Sequence, residues 1–289
     1  MRDRFLKLFG LSVAVVVASY TVVLAQAPQT APAAGAGRQG APQSPTFARI
    51  QARTYDFKEG AVTAALPYEV YVPTKYDKSK PTPLIVALHG LGSNPTGIIR
   101  YGGLTELAEE RGYIVVAPMG FNTGGWYGSQ GPGKPRVGVG RGDQSGIPDN
   151  LGEVSEKDVM NVFEMVRKEF NIDRSRTYLF GHSMGGGGTW YLGMKYKDNW
   201  AALAMAAPAI YSSPDQLEQI KDMPVFIVQG DNDNLVRVDV TRQWVDKMKS
   251  LNMKYQYVEV PGGTHTDIIV NNPPNMRKVF DFFDAQKKK

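Results

Sequence analysis

The stretch Gly181–Trp190 reads GHSMGGGGTW and places Ser183 between glycines two positions to either side. An apolar run, RTYLF, precedes it and YLGMKY follows it. A serine between a strand and a helix on so tight a turn is held exposed, at a backbone strain of about 1–3 kcal/mol. Its hydroxyl is a weak nucleophile at neutral pH and needs an imidazole to take the proton. The chain has three histidines. His89 ends the run PLIVALH, and His182 adjoins Ser183, where the turn sends its side chain away from the hydroxyl. His265 lies in PGGTHTD, directly after the run YQYVEV. Elimination and position select His265 as the base.

The base in turn needs a carboxylate to orient it, and in strand–turn–helix sites of this type the chain order is serine, acid, histidine. The run VFIVQG is followed by DNDNLV, which offers Asp231 and Asp233. The G-x-x-D spacing makes Asp233 the better choice and leaves Asp231 as the alternative, which would more naturally hold the turn through side-chain hydrogen bonds. A developing oxyanion requires preorganised N–H donors. The residue after the serine, Met184, supplies one, and Leu91 in HGLG, after an early strand, is the choice for the other.

These residues need a scaffold. Short apolar runs at Pro83–His89, Tyr113–Pro118, Thr177–Gly181, Ala202–Ala209, Val225–Gly230 and Tyr255–Val260 read as strands buried on both faces. Helix-periodic segments alternate with them at Leu104–Arg111, Glu153–Phe170, Gly186–Lys197, Val238–Ser250 and Met276–Ala285, and Ser155 with Asp158 reads as a capping pair. Leu66–Pro73 alternates with period two and pairs with Ala52–Phe57 as an antiparallel edge. The predicted class is α/β, a mostly parallel sheet with helices on both faces. The glycine-rich stretch 120–150 is too long for an ordinary connection. It sits at a carboxyl strand end, so Trp126 and Tyr127 are candidate substrate contacts, joined by Ile210 and Tyr211 in PAIYSS.

The formal net charge of +5 is small and dispersed, which argues against a nucleic-acid partner. The absence of cysteine removes disulfides, thiolate metal sites and cysteine nucleophiles. The start of the chain is basic (MRDRFLK), then apolar, then small (AQA), the pattern of a secretory signal at residues 1–25, with cleavage after Ala25 or Ala27. An uncleaved anchor is the alternative, since the apolar run approaches the ~20 residues that span a bilayer. Residues 26–45, rich in Ala, Pro, Gly and Gln, read as a disordered linker, and residues 46–289 as the folded domain. A secreted or periplasmic location follows, with no stable membrane partner after cleavage.

Together the motifs HGLG, NIDRSRTYLFGHSMGGGGTW, QGDNDNLV and GGTHTD resemble the α/β-hydrolase superfamily. They look most like secreted esterases of the feruloyl-esterase and polyhydroxybutyrate-depolymerase kind and like small carboxylesterases. The resemblance covers nearly the whole folded part. It implies an acyl-enzyme esterase with Ser183, Asp233 and His265 as its triad, no metal or organic cofactor, and carbohydrate-linked, aryl or polyester-type esters as substrates. A peptidase of the same fold and a binding protein on a decayed hydrolase fold are the competing readings.

Overall fold

The computed structural model describes residues 44–136 and 146–288. The expected signal, all but the last two residues of the expected linker, and positions 137–145 of the glycine-rich stretch lie outside the described residues. The first element among the described residues is a short 3-10 turn at Pro45–Arg49.

Among the described residues, eight strands form one sheet in the order β1-β2-β4-β3-β5-β6-β7-β8. They are β1 (Gln51–Glu59), β2 (Val62–Tyr71), β3 (Thr82–Leu88), β4 (Ile114–Pro118), β5 (Ile172–His182), β6 (Ala202–Ala206), β7 (Val225–Gly230) and β8 (Tyr255–Val260). Strand β2 pairs antiparallel with both β1 and β4, and every other pairing is parallel. The order and the helical crossovers make this an α/β-hydrolase fold, as the family resemblance implies.

Strand periodicity explains the two larger of the three apolar clusters among the described residues. Leu84, Val86 and Leu88 of β3 point into one apolar cluster, while Ile85 and Ala87 point into another. The first cluster is covered by α3 (Leu151–Glu169), α4 (Met184–Lys195) and α5 (Val238–Ser250), through Val159, Phe163, Trp190 and Trp244. The second is covered by α2 (Leu104–Arg111) and α6 (Pro273–Asp284), through Leu107, Val279 and Phe280. No helix among the described residues is long and apolar enough to cross a membrane.

Two local expectations are corrected. Ser155 and Asp158 do not cap α3, which begins four residues before Ser155. Three residues apart on one helix face, both side chains turn inward. Ser155 Oγ donates to Gly120 O at 2.6 Å and accepts from Tyr127 N at 3.0 Å. Asp158 accepts from Gly120 N, Phe121 N and the Tyr55 hydroxyl at 2.6, 3.1 and 2.6 Å. The pair anchors the segment after β4 instead of the start of its own helix. The second correction adds α1 (Pro95–Ile99), whose signal stands in the sequence. Asn94 caps it by accepting from Gly97 N, and Pro95 occupies its first position.

The four consecutive glycines of α4 lie against neighbouring groups along the helix. A Cβ on Gly185 would lie 2.0 Å from Leu88 O, and one on Gly188 would lie 2.5 Å from the Tyr127 ring. The helix therefore packs with its backbone almost touching the end of β3. Gly185→Ala is expected to destabilise the fold by about 3 kcal/mol or more, the upper range for overpacking. For a domain of this size that lowers Tm by about 6–12 °C. Scanning calorimetry checks it, and an unchanged Tm contradicts the packing described.

Candidate active site

The carboxyl ends of β3, β5, β7 and β8 deliver the candidate residues to one end of the sheet. Ser183 joins β5 to α4 at φ 57°, ψ −117°, a left-handed φ that only local enforcement maintains. Its N–H donates to Ala206 O at 2.9 Å, and its carbonyl accepts from Gly187 N and Ala209 N at 3.1 and 2.9 Å. Those bonds fix the turn from three sides. Phe121, Trp126, Tyr127 and Ala207 also have positive φ, so strained backbone gathers around this end of the sheet.

His265, on the loop after β8, lies with Nδ1 2.8 Å from Asp233 Oδ2. The carboxylate only accepts, so Nδ1 carries the proton and Nε2 keeps a free lone pair. Asp233 follows β7, and its side chain is fully buried. A buried carboxylate must be hydrogen-bonded, and this one is. Oδ1 accepts from Leu235 N and Val236 N at 2.8 Å each, and Oδ2 also accepts from Gln229 Nε2 at 3.2 Å. Asp233 thus closes its own turn as well as meeting His265. Asp231 does not close that turn. It accepts from Gly262 N at 2.6 Å and ties the β7 loop to the β8 loop.

The HGLG loop lies directly over Ser183. A Cβ on Gly90 would be 3.4 Å from Ser183 Cβ. The Gly92 and Ser93 N–H groups donate to Thr123 O and Gly90 O. Among the described residues, the N–H groups of Leu91 and Met184 donate to no protein acceptor. Met184 is the first residue of α4, where helical geometry leaves the N–H unpaired. His89 is unsuited to take a proton from Ser183. It is fully buried, with its ring nitrogens 2.8 and 2.7 Å from Gly90 O and Met119 O, and burial pushes its pKa down.

The aromatic candidates separate. Tyr127 is completely buried, its hydroxyl donating to His89 O at 3.0 Å. It supports the HGLG loop from beneath and does not line an open groove, correcting the expectation of a substrate contact. Trp126 is also buried, with its ring 5.3 Å from that of the exposed Tyr211. Ile210 and Tyr211 line a cavity of about 380 Å³ together with Gly187, Trp190, Tyr191 and Ala209. This cavity begins one helical turn beyond Ser183. Its nearest links to the serine are Gly187 and Ala209, whose N–H groups hold the Ser183 carbonyl. Beside it Glu156, buried in α3, accepts from the Tyr191 hydroxyl at 2.7 Å and from Tyr196, and pairs with Lys195 at 2.7 Å.

Sequence reasoning missed Gln229. Fully buried, it donates to Asp233 and to Val236 O at 3.0 Å and accepts from Thr241 at 3.0 Å. The signal was a lone amide ending an otherwise apolar strand. The His182 side chain turns away from the serine hydroxyl, as its place next to Ser183 implies, and meets two partners. Nδ1 lies 2.7 Å from the Tyr101 hydroxyl, Nε2 lies 2.9 Å from His265 O, and the ring is 4.9 Å from that of His265.

With this geometry in place, comparison with known proteins assigns the chain. The Esterase family model matches residues 61–267, well over half of the sequence. The chain belongs to the Esterase family. The bifunctional acetylxylan esterase/xylanase XynS20E of Neocallimastix patriciarum is 27% identical over 168 residues, which are 58% of this chain and 21% of that protein. The S-formylglutathione hydrolase of Bos taurus is 25% identical over 173 residues, 57% of this chain and 59% of that one. The chain thus spans about a fifth and about three fifths of these two relatives' own lengths. Among solved structures, a thermostable esterase aligns at TM-score 0.62 and 21% identity, covering 84% of this chain and 64% of its own. The ferulic acid esterase AmCE1/Fae1A of Anaeromyces mucronatus, in complex with ferulic acid, aligns at 0.58 and 19%, covering 82% and 90%. These likenesses establish the shared fold of the family.

Burial, followed by the neighbouring His265, pushes the His182 pKa down to about 4 from 6.5. Between those values the unfolded chain binds a proton that the native state refuses, so stability rises with pH across the window and falls as pH drops from 6.5 to 4. The loss expected from this residue is about 3 kcal/mol. Urea denaturation from pH 7 to 4 checks it, with His182→Gln expected to show a shallower fall than the parent. Parallel curves contradict the burial of a neutral imidazole.

Proposed function

We propose that this esterase-family protein is a serine ester hydrolase that works through an acyl-enzyme, with Ser183 as nucleophile, His265 as general base and Asp233 as its orienting acid. The observation that carries this reading is the 2.8 Å contact between His265 Nδ1 and the buried Asp233 carboxylate. It fixes the tautomer whose Nε2 accepts a proton. Ser183 Oγ attacks the ester carbonyl carbon as its proton passes to His265 Nε2. The carbonyl π electrons move to the oxygen, which the Leu91 and Met184 N–H groups receive. Collapse breaks the bond to the alcohol oxygen, which leaves with the proton from His265. Water then repeats the sequence and releases the acid.

The names of an acetylxylan esterase relative and a ferulic acid esterase neighbour support ester substrates of the carbohydrate-linked or aryl kind; polyester-type esters are a further class that rests on the motif resemblance alone. Ile210 and Tyr211 are placed to receive the part of the substrate beyond the ester. The basic, apolar and small-residue start of the chain supports export, to a secreted or periplasmic location.

Ser183→Ala is expected to lower kcat on a short p-nitrophenyl ester by about 10⁴–10⁶-fold. Asp233→Asn is expected to lower it by about 10³–10⁴-fold through loss of the productive tautomer. Steady-state kinetics check both. Full activity in Ser183→Ala rules out this reading, and full activity in Asp233→Asn rules out the role given to Asp233.

A further inference from the structure

His182 has no step in the mechanism above, yet it touches the machinery at two points. It is adjacent to Ser183 in the chain, and its ring lies against that of His265 at 4.9 Å and 36°. Nε2 faces His265 O, a group that only accepts, so Nε2 must carry the proton. Nδ1 is then a lone pair, and the Tyr101 hydroxyl 2.7 Å away must donate to it. The direction of both bonds is therefore determined: Tyr101 to His182, and His182 to the backbone of His265. With both nitrogens engaged, His182 does not take the proton of Ser183.

The loop that carries His265 is otherwise tied on the far side of the site. Asn232 N donates to Gly263 O at 3.0 Å and Gly262 N donates to Asp231, both ties to the β7 loop, while Thr264 N donates to Asp267 at 2.8 Å within the loop itself. The His182 bond connects this loop to β5, the strand that ends at Ser183. Tyr101, between α1 and α2, is itself buried, and the next residue, Gly102, donates to Val270 O at 2.8 Å, just beyond the same loop.

Resting on the roles proposed above for Ser183 and His265, we propose that His182, held by Tyr101, is a positioning residue that sets the separation between nucleophile and base. Asp233 fixes the orientation of the His265 ring, and His182 fixes its backbone relative to Ser183. Loss of this tie lets the imidazole drift without altering the substrate cavity. Because both acylation and deacylation use His265, both slow together, so kcat falls while KM stays near its original value. A displacement of about 1 Å at a reacting group lowers rate by about 10²-fold.

The experiment compares His182→Ala, His182→Gln and Tyr101→Phe with the parent, using kcat and KM on p-nitrophenyl acetate and Tm for each. His182→Ala is expected to lose about 10²-fold in kcat with KM within about twofold. In His182→Gln the side-chain amide donates to His265 O again, and kcat is expected to recover at least tenfold over His182→Ala. Tyr101→Phe is expected to lie between the parent and His182→Ala. Unchanged kcat in His182→Ala overturns the proposal, as does equal loss in the alanine and glutamine variants, which marks a space-filling role. If His182→Ala does not fold, parental kcat in Tyr101→Phe overturns it. Ser183→Ala and His265→Ala run alongside, and activity surviving in them refutes the underlying mechanism and not the tie alone.

Discussion

The whole site depends on one close approach, that of the first turn of α4 to the end of β3, where Gly185 has no room for a Cβ beside Leu88 O. Because helix and strand nearly touch there, the chain between β5 and α4 must reverse within a single residue. That residue is Ser183, and its left-handed φ follows from the reversal. The same contact brings the HGLG loop, which continues from β3, directly over the serine. The N–H groups of Leu91 and Met184, which have no protein acceptor among the described residues, thus belong to two segments locked by one backbone contact. Strain of this kind persists because packing on every side over-determines it.

A second layer keeps the loops in place. Helix α3 sends Ser155 and Asp158 inward to hold the segment after β4, and Tyr127 from that segment supports His89 O. Asp158 is buried, and burial pushes its pKa up. Three hydrogen bonds offset part of that cost. The same helix carries Glu156, which gathers Tyr191, Lys195 and Tyr196 of the α4 region beside the cavity. One helix therefore anchors the floor of the cavity and the support of the HGLG loop.

Much of this was legible in the sequence. Fully buried parallel strands appear as continuous apolar runs, and amphipathic helices such as Val238–Ser250 show their period plainly, so the element order could be read. The meeting of Asp233 with His265 was expected from chain order and spacing, and mainly from the family resemblance of the motifs. What escaped the sequence depended on tertiary contacts. Ser155 and Asp158 carry the residue types of a cap, and only the packing of Gly120 and Tyr127 against α3 shows that they point inward. Tyr127 lies in a loop where aromatics commonly meet ligands, but the glycine at position 188 opens a space for its ring and buries it. The partners of His182 are 81 residues before it and 83 after it, a relation that no local pattern encodes.

The central claim is that Ser183 is an activated nucleophile. The most direct test is to treat the folded protein with a fluorophosphonate probe and locate the adduct by peptide mass spectrometry. A single adduct on Ser183 is expected, formed much more slowly in the His265→Ala variant. No adduct, or an adduct on another residue with Ser183 unmodified, would contradict it.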